Sequence, residues 1–201
     1  MFDRFPFNRL FRSEHWAVGL DPWNRKLYRR VRTVAPACLH GFGVTAAHGD
    51  GPAERVRWGL ACRCGERTGR VLGYSVKDFR KDYDGPDVLI GPLAFCCSAC
   101  GKTTEMFDSA KHGLEAEFGK RGEKFIDTNL RGSGERQAIR CPECEASEYD
   151  VIASFMFAHF DHIDDEPGLE PWAQDFFDSF GCIGRCESCG TEWLIAGFEL
   201  A

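Results

Sequence analysis

Four short stretches decide the reading: CRCG at residues 62–65, CSACG at 97–101, CPEC at 141–144 and CESCG at 186–190. They place eight of the 11 cysteines in close pairs, Cys62/Cys64, Cys97/Cys100, Cys141/Cys144 and Cys186/Cys189. A two-residue gap lets both sulfurs of one tight turn point at a single ion about 2.3 Å away, while neighbouring backbone N–H groups stabilise the thiolates. Gly65, Gly101 and Gly190 follow three of the pairs, where the turn asks for a left-handed backbone. The fourth pair has Glu145 in that place and Pro142 inside the turn. Cys38, Cys96 and Cys182 remain, and read as buried thiols; Cys96 competes with Cys97, and Cys182 with Cys186, for a ligand position.

The compartment decides how clustered cysteines are read. The start, MFDRFPFNRLFRSEHW, has no apolar core of signal-peptide length, and Asp3 and Glu14 oppose a transit peptide. The most apolar run, Val151 to Phe160, is about half of what a bilayer span needs. The expectation is a cytoplasmic protein without a membrane partner, where thiols stay reduced and paired cysteines signal metal rather than disulfides. A redox dithiol is the competing chemistry, but such a pair opens a helix, and these pairs lie between strand-like segments.

The four knuckles and their strand-like flanks resemble zinc ribbons, four-cysteine modules that share their metal geometry with rubredoxins. The resemblance implies Zn2+ at two structural sites per chain, with iron as the alternative metal. Pairing in chain order gives Cys62, Cys64, Cys97 and Cys100 as one site and Cys141, Cys144, Cys186 and Cys189 as the other; a crossed pattern would join Cys97/Cys100 to Cys141/Cys144. The halves read as a repeat of strand, knuckle, strand, insertion, strand, knuckle, strand, which favours chain order. Residues 65–96 and 145–185 separate the pairs, more than the usual 15–20, so each unit carries an insertion. The fold class expected is α+β: short antiparallel sheets forming two elaborated ribbons with a few helices. The division expected is an N-terminal arm (1–50), a first ribbon unit (51–130) and a second, acidic unit (131–201).

Charge is unevenly spread. Residues 1–32 carry +5 and interleave Arg4, Arg9 and Arg12 with Phe5, Phe7 and Phe11, whereas residues 143–201 hold one base and fourteen acids. A basic aromatic arm suits a phosphate backbone and stacked bases, and equally the protein's own acidic half. The segment 108–119 reads as a helix capped by Asp108, placing Asp108, His112 and Glu115 on one flank as a candidate catalytic cluster. His159 and His162 among the acids up to Glu166 form a candidate ion loop, read as a solvated acidic loop. A further helix is expected from Pro171 to Phe180, closed by Gly181, with Trp172, Phe176, Phe177 and Phe180 on its inner face.

Phosphate-loop, dinucleotide, zinc-protease and serine-elbow motifs are absent. Four-sulfur zinc sites have no open position and stabilise folds rather than catalyse. The function expected is therefore a non-enzymatic zinc-binding protein acting as a protein-interaction or scaffold module, its acidic half suited to a basic protein partner. Nucleic-acid binding through the N-terminal arm is the first alternative, and a metal-dependent hydrolase at Asp108/His112/Glu115 the second. Oligomeric state is not legible in the sequence.

Overall fold

The computed structural model describes residues 22–47, 54–122, 127, 129–157, 168 and 170–200. Helix α1 (Pro22–Thr33) leads into β1 (Gly43–Ala46), β2 (Arg55–Ala61) and β3 (Thr68–Ser75). A single turn, α2 (Val76–Phe79), precedes the hairpin β4 (Leu89–Cys97) and β5 (Thr103–Phe107), followed by α3 (Leu114–Lys120). The second half runs through β6 (Gln137–Ala138), β7 (Tyr149–Met156), β8 (Ser179–Cys186) and β9 (Glu192–Glu199). The expected α+β class of short antiparallel strands with a few helices is what the chain forms. The remainder of the N-terminal arm and the His159–Glu166 loop lie outside the described residues.

Among the described residues, all nine strands join one sheet, in which strands from residues 51–130 and 131–201 interleave. Their register shows a repeat related by a local two-fold. Gly69 pairs with Cys97, and Tyr149 with Cys186, at corresponding points of β3–β4 and β7–β8. The hairpins β4–β5 and β8–β9 match as well: Cys96↔Thr103 corresponds to Arg185↔Glu192, and both break register one strand turn later, at Leu93/Ala94 and Cys182/Ile183. At the centre, Gly69 pairs with Tyr149 itself. Each leading strand then crosses over: β2 pairs with β7 (Gly59↔Ile152) and β6 pairs with β3 (Leu72↔Ala138), the same contact made once in each direction.

Alternation sets the faces. Along β7, Tyr149, Val151, Ala153 and Phe155 point into the core while Asp150, Ile152, Ser154 and Met156 face outward. The core closes on aromatic rings from both halves: Phe107 of β5 stacks on Phe180 of β8 at 4.1 Å and lies 4.8 Å from Phe198 of β9. Near the two-fold, a glycine and an aromatic exchange places between the repeats. A Cβ on Gly69 would come within 2.4 Å of the Phe95 ring, and a Cβ on Gly184 within 3.0 Å of the Tyr149 ring.

Two helical expectations are corrected. Residues 108–112 form turns, and α3 begins only at Leu114, because Gly113 takes φ 98° and breaks the helical path. A Cβ there would also lie 2.6 Å from Leu200, so close packing requires this glycine. Pro171 to Phe180 is likewise not one helix: a 3-10 turn (Glu170–Asp175) ends before β8, which takes up Phe180 and Gly181. Phe176 and Phe177 are buried as expected, but Trp172 is exposed. The apolar run at Val151 forms a strand ending at Met156, with 158–160 outside the described residues.

The described part of the basic arm docks on the acidic half. Leu27 and Val31 of α1 are buried. Arg30 Nε donates to Gln174 Oε1 at 2.8 Å and its Nη2 to the Pro171 carbonyl, while the Ala37 amide donates to Asp175 Oδ1 at 2.6 Å.

Gly69→Ala should destabilise the fold by about 1–3 kcal/mol, since Phe95 and the Cys96 carbonyl occupy the space a methyl needs. Urea unfolding of variant against parent checks this, with Gly43→Ala, where an added Cβ would meet nothing nearer than 3.7 Å, as the control.

Candidate metal centres

Each knuckle is a tight turn held by its own backbone. Gly65 N–H donates to Cys62 O at 2.8 Å, Gly101 to Cys97 O at 3.0 Å, Glu145 to Cys141 O at 2.9 Å and Gly190 to Cys186 O at 2.8 Å. The three glycines take φ between 68° and 97°. Glu145 adopts the same left-handed backbone at φ 62°, so the turn dictates the conformation even where the residue disfavours it. Matching bonds tie the later knuckle of each unit to its sheet: Ser98 N–H donates to Thr68 O at 3.1 Å, and Glu187 N–H to Glu148 O at 3.0 Å.

These turns bring the cysteines together in chain order. Cys62, Cys64, Cys97 and Cys100 form one group, Cys141, Cys144, Cys186 and Cys189 the other, and within each all four sulfurs lie within 4.8 Å of one another. The crossed alternative is overturned. Sulfur–sulfur contacts across the knuckles measure 3.6 Å for Cys62–Cys100 and Cys64–Cys97, 3.6 Å for Cys141–Cys189 and 3.5 Å for Cys144–Cys186. A tetrahedron with metal–sulfur bonds of about 2.3 Å has edges of about 3.8 Å, so both groups have the dimensions of a four-coordinate site. In each, two sulfurs belong to buried residues and two to exposed ones.

The electrostatics suit a divalent cation. The Cys64 amide leads in drawing the Cys62 thiol down to about 7, and Thr191, through hydroxyl and amide, draws Cys189 down to about 6. Once one thiolate forms, the others are opposed. The Glu66 amide favours the Cys64 thiolate, yet the sulfurs of Cys97 and Cys62 outweigh it and push Cys64 up to about 12. Four adjacent thiolates coexist only around positive charge, which a metal ion supplies.

The three remaining cysteines stand outside both groups. Burial pushes Cys182 up to about 12, and burial and then Asp175 raise Cys38 well above its ordinary value. Cys96 is buried, with Arg70 Nη2 donating to its sulfur at 3.6 Å.

Asp108, His112 and Glu115 do not share a helix flank. The Asp108 carboxylate is held by Arg131, by Lys111 at 3.1 Å and by the Ala110 amide at 3.1 Å. Burial alone would raise it, but these partners bring it down to about 2. His112 Nδ1 accepts from the Asp108 backbone N–H at 3.0 Å, not from its carboxylate. Glu115 lies beyond Gly113, and its amide donates to Leu200 O at 3.2 Å. Sequence reasoning missed Asp127, which accepts from Ser109 Oγ at 2.9 Å and from Arg131 at 3.3 Å. Nothing in its local sequence marks it; the tie exists only once Asp127 and Arg131 come to lie beside the 108–112 turns.

No protein-family model matches the chain, and no curated protein or solved structure does.

Glu145→Gly should stabilise the protein by about 0.5–1 kcal/mol by removing the left-handed penalty, offset in part by unfolded-state entropy. Its exposed contact with Arg140, 3.5 Å long, contributes little. Thermal melts with metal content held constant check it.

Burial first, then the Lys120 charge, lower His112 to about 4, against the pull of Asp108. Lys111 adds to the lowering, and Glu115 and Asp127 line the same hollow. The unfolded chain, with His near 6.5, binds the proton first, so this residue's share of stability falls as pH drops from about 6.5 to 4. His112→Asn, which keeps an acceptor for the Asp108 amide, should flatten the stability curve over that window relative to the parent.

Proposed function

We propose that the chain is a non-enzymatic zinc-binding protein whose two four-cysteine sites are structural and whose role is that of a protein-interaction or scaffold module. The observation that carries this reading is the pair of sulfur tetrads, each of which fills every position of a tetrahedral ion and leaves none for water or substrate. Cys62, Cys64, Cys97 and Cys100 would hold one zinc, and Cys141, Cys144, Cys186 and Cys189 the other. Each ion would neutralise its thiolates and clamp two knuckles, supplying on the order of 10 kcal/mol of folding energy.

The surroundings of the second site favour a basic protein partner. Glu143, Glu145, Glu148, Glu187 and Glu192 are all exposed around it. Around the first site the exposed residues include the basic Arg63, Arg67, Arg70 and Lys102, the feature that supports nucleic acid as the second reading. The locked Asp108 carboxylate argues against the hydrolase reading. No described helix is long and apolar enough to cross a membrane.

Elemental analysis of the purified chain should give two zinc atoms per chain. Cys97→Ser and Cys186→Ser should each remove one, and Cys96→Ser neither. Iron in place of zinc, or one metal or none per chain, overturns the two-zinc reading. For the partner, fluorescence anisotropy should show a Lys-rich peptide binding, weakened by Glu143→Lys with Glu187→Lys. Binding of an oligonucleotide instead, falling steeply with salt, would replace the protein-partner reading with the nucleic-acid one.

A further inference from the structure

Among the described residues, the repeats share a backbone but differ in what lies over the outer face of the sheet. In the first, the row Ala138–Leu72–Ala94–Glu105 runs across β6, β3, β4 and β5. The segment before β6 folds over that face. Arg131 bridges to Gly91, Gly132 lies so close to the Tyr74 ring that a Cβ would come within 2.0 Å, and Arg136 binds Glu105 through two bonds of 2.7 and 2.8 Å. Ala94 is fully buried in consequence.

The corresponding row of the second repeat is Gly59–Ile152–Ile183–Leu194, across β2, β7, β8 and β9. Gly59 at its β2 end is buried, with Arg67 Nη2 3.4 Å from where a Cβ would stand, but the aliphatic remainder is accessible: Leu194 is 37% exposed, and Ile152 and Ile183 are half-buried. The adjacent row, Arg57–Ser154–Gly181–Gly197, has no bulky side chain beyond its arginine, so the floor of this face is flat. An aliphatic, flat sheet face is the kind of surface that sheet-on-sheet packing covers.

Charge identifies the occupant. The β2 side of the face carries Arg57, half-buried, and the β9 side carries Glu199, exposed. Between them the charges already cancel, with Arg67 paired to Asp150 at 3.2 Å and Arg185 directly opposite Glu192. The face is thus basic on one rim, apolar and neutral in the middle and acidic on the other rim. We propose that a second copy of the chain docks on it, face to face about a two-fold axis running along the strands. That axis lays the β2 rim of one copy against the β9 rim of the other, so arginine meets glutamate twice and the aliphatic rows meet at the centre. A parallel alignment of the rims would set like charges together. The packing brings the sheets about 10 Å apart, a spacing the glycine and serine floor permits. The pairing needs no metal ligand, and it stands or falls separately from the zinc reading.

Sedimentation equilibrium of the intact, metal-replete chain tests it, from about 1 to 100 μM. A monomer–dimer equilibrium that weakens with salt is expected. Arg57→Glu and Glu199→Arg should each weaken it about tenfold or more. An equimolar mixture of the two variants should restore a 1:1 dimer, because both rims then pair with opposite charge. Leu194→Asp should give monomer. Circular dichroism and metal content matching the parent establish that each variant is folded. A monomer over the whole range, a dimer indifferent to both reversals, or a mixture that stays monomeric overturns the proposal.

Discussion

The antiparallel contact between the first residues of β3 and β7, with Gly69 opposite Tyr149, is the constraint on which the rest of the structure depends. Each strand leaves a cysteine knuckle and meets the other unit within a few residues. That leaves no room for β2 beside β3 or for β6 beside β7, so each leading strand pairs across the two-fold instead. The same two residues also sit opposite Cys97 and Cys186, so the contact sets the height at which the second half of each tetrad arrives. A register slip at this point would turn the inner sulfurs to the outer face, because strand side chains alternate with period two.

Apolar packing secures what the register arranges. The Phe107–Phe180 stack joins the far ends of the two hairpins, and Phe155 and Phe177, 4.8 Å apart, close the same core from β7 and the chain entering β8. The buried aromatics lie mostly at the ends of the strands remote from the knuckles, so ring packing and sulfur clusters brace opposite ends of the hairpins. The Asp108 ion pairs belong to the first of these braces. They hold the turns after β5 against Arg131, which also binds Asp127, while Gly113 lets α3 start against the Leu200 and Phe177 carbonyls.

What the sequence discloses is what local chemistry controls. Two cysteines in one turn followed by glycine leave few alternatives, so all eight cluster residues and their chain-order grouping could be read in advance. The strand-like character of the segments flanking the knuckles could be read too. The failures have a common origin. Residues 108–119 and 171–180 carry apolar residues at helical spacing, but Gly113 with a positive φ and the pull of β8 on Phe180 are decided by distant partners, Leu200 in one case and the β7 edge in the other. The strand exchange was invisible for the same reason: β6 is two residues long and has no pattern of its own.

The two repeats show which features the backbone demands and which it leaves free. Positions that hold sulfur, turn the knuckle or set the register correspond closely, down to the shared break in β4–β5 and β8–β9. Positions one residue away have diverged in charge. Arg70 corresponds to Asp150, Ser98 to Glu187 and Cys96 to Arg185 across equivalent pairings. None of these substitutions alters the geometry of its tetrad, since the paired sulfur distances agree within 0.1 Å between the two. A difference that leaves both sulfur groups unchanged acts on the surface around them. The frame that gathers the sulfurs is common to both units; the charge around each is set by the residues in which they differ.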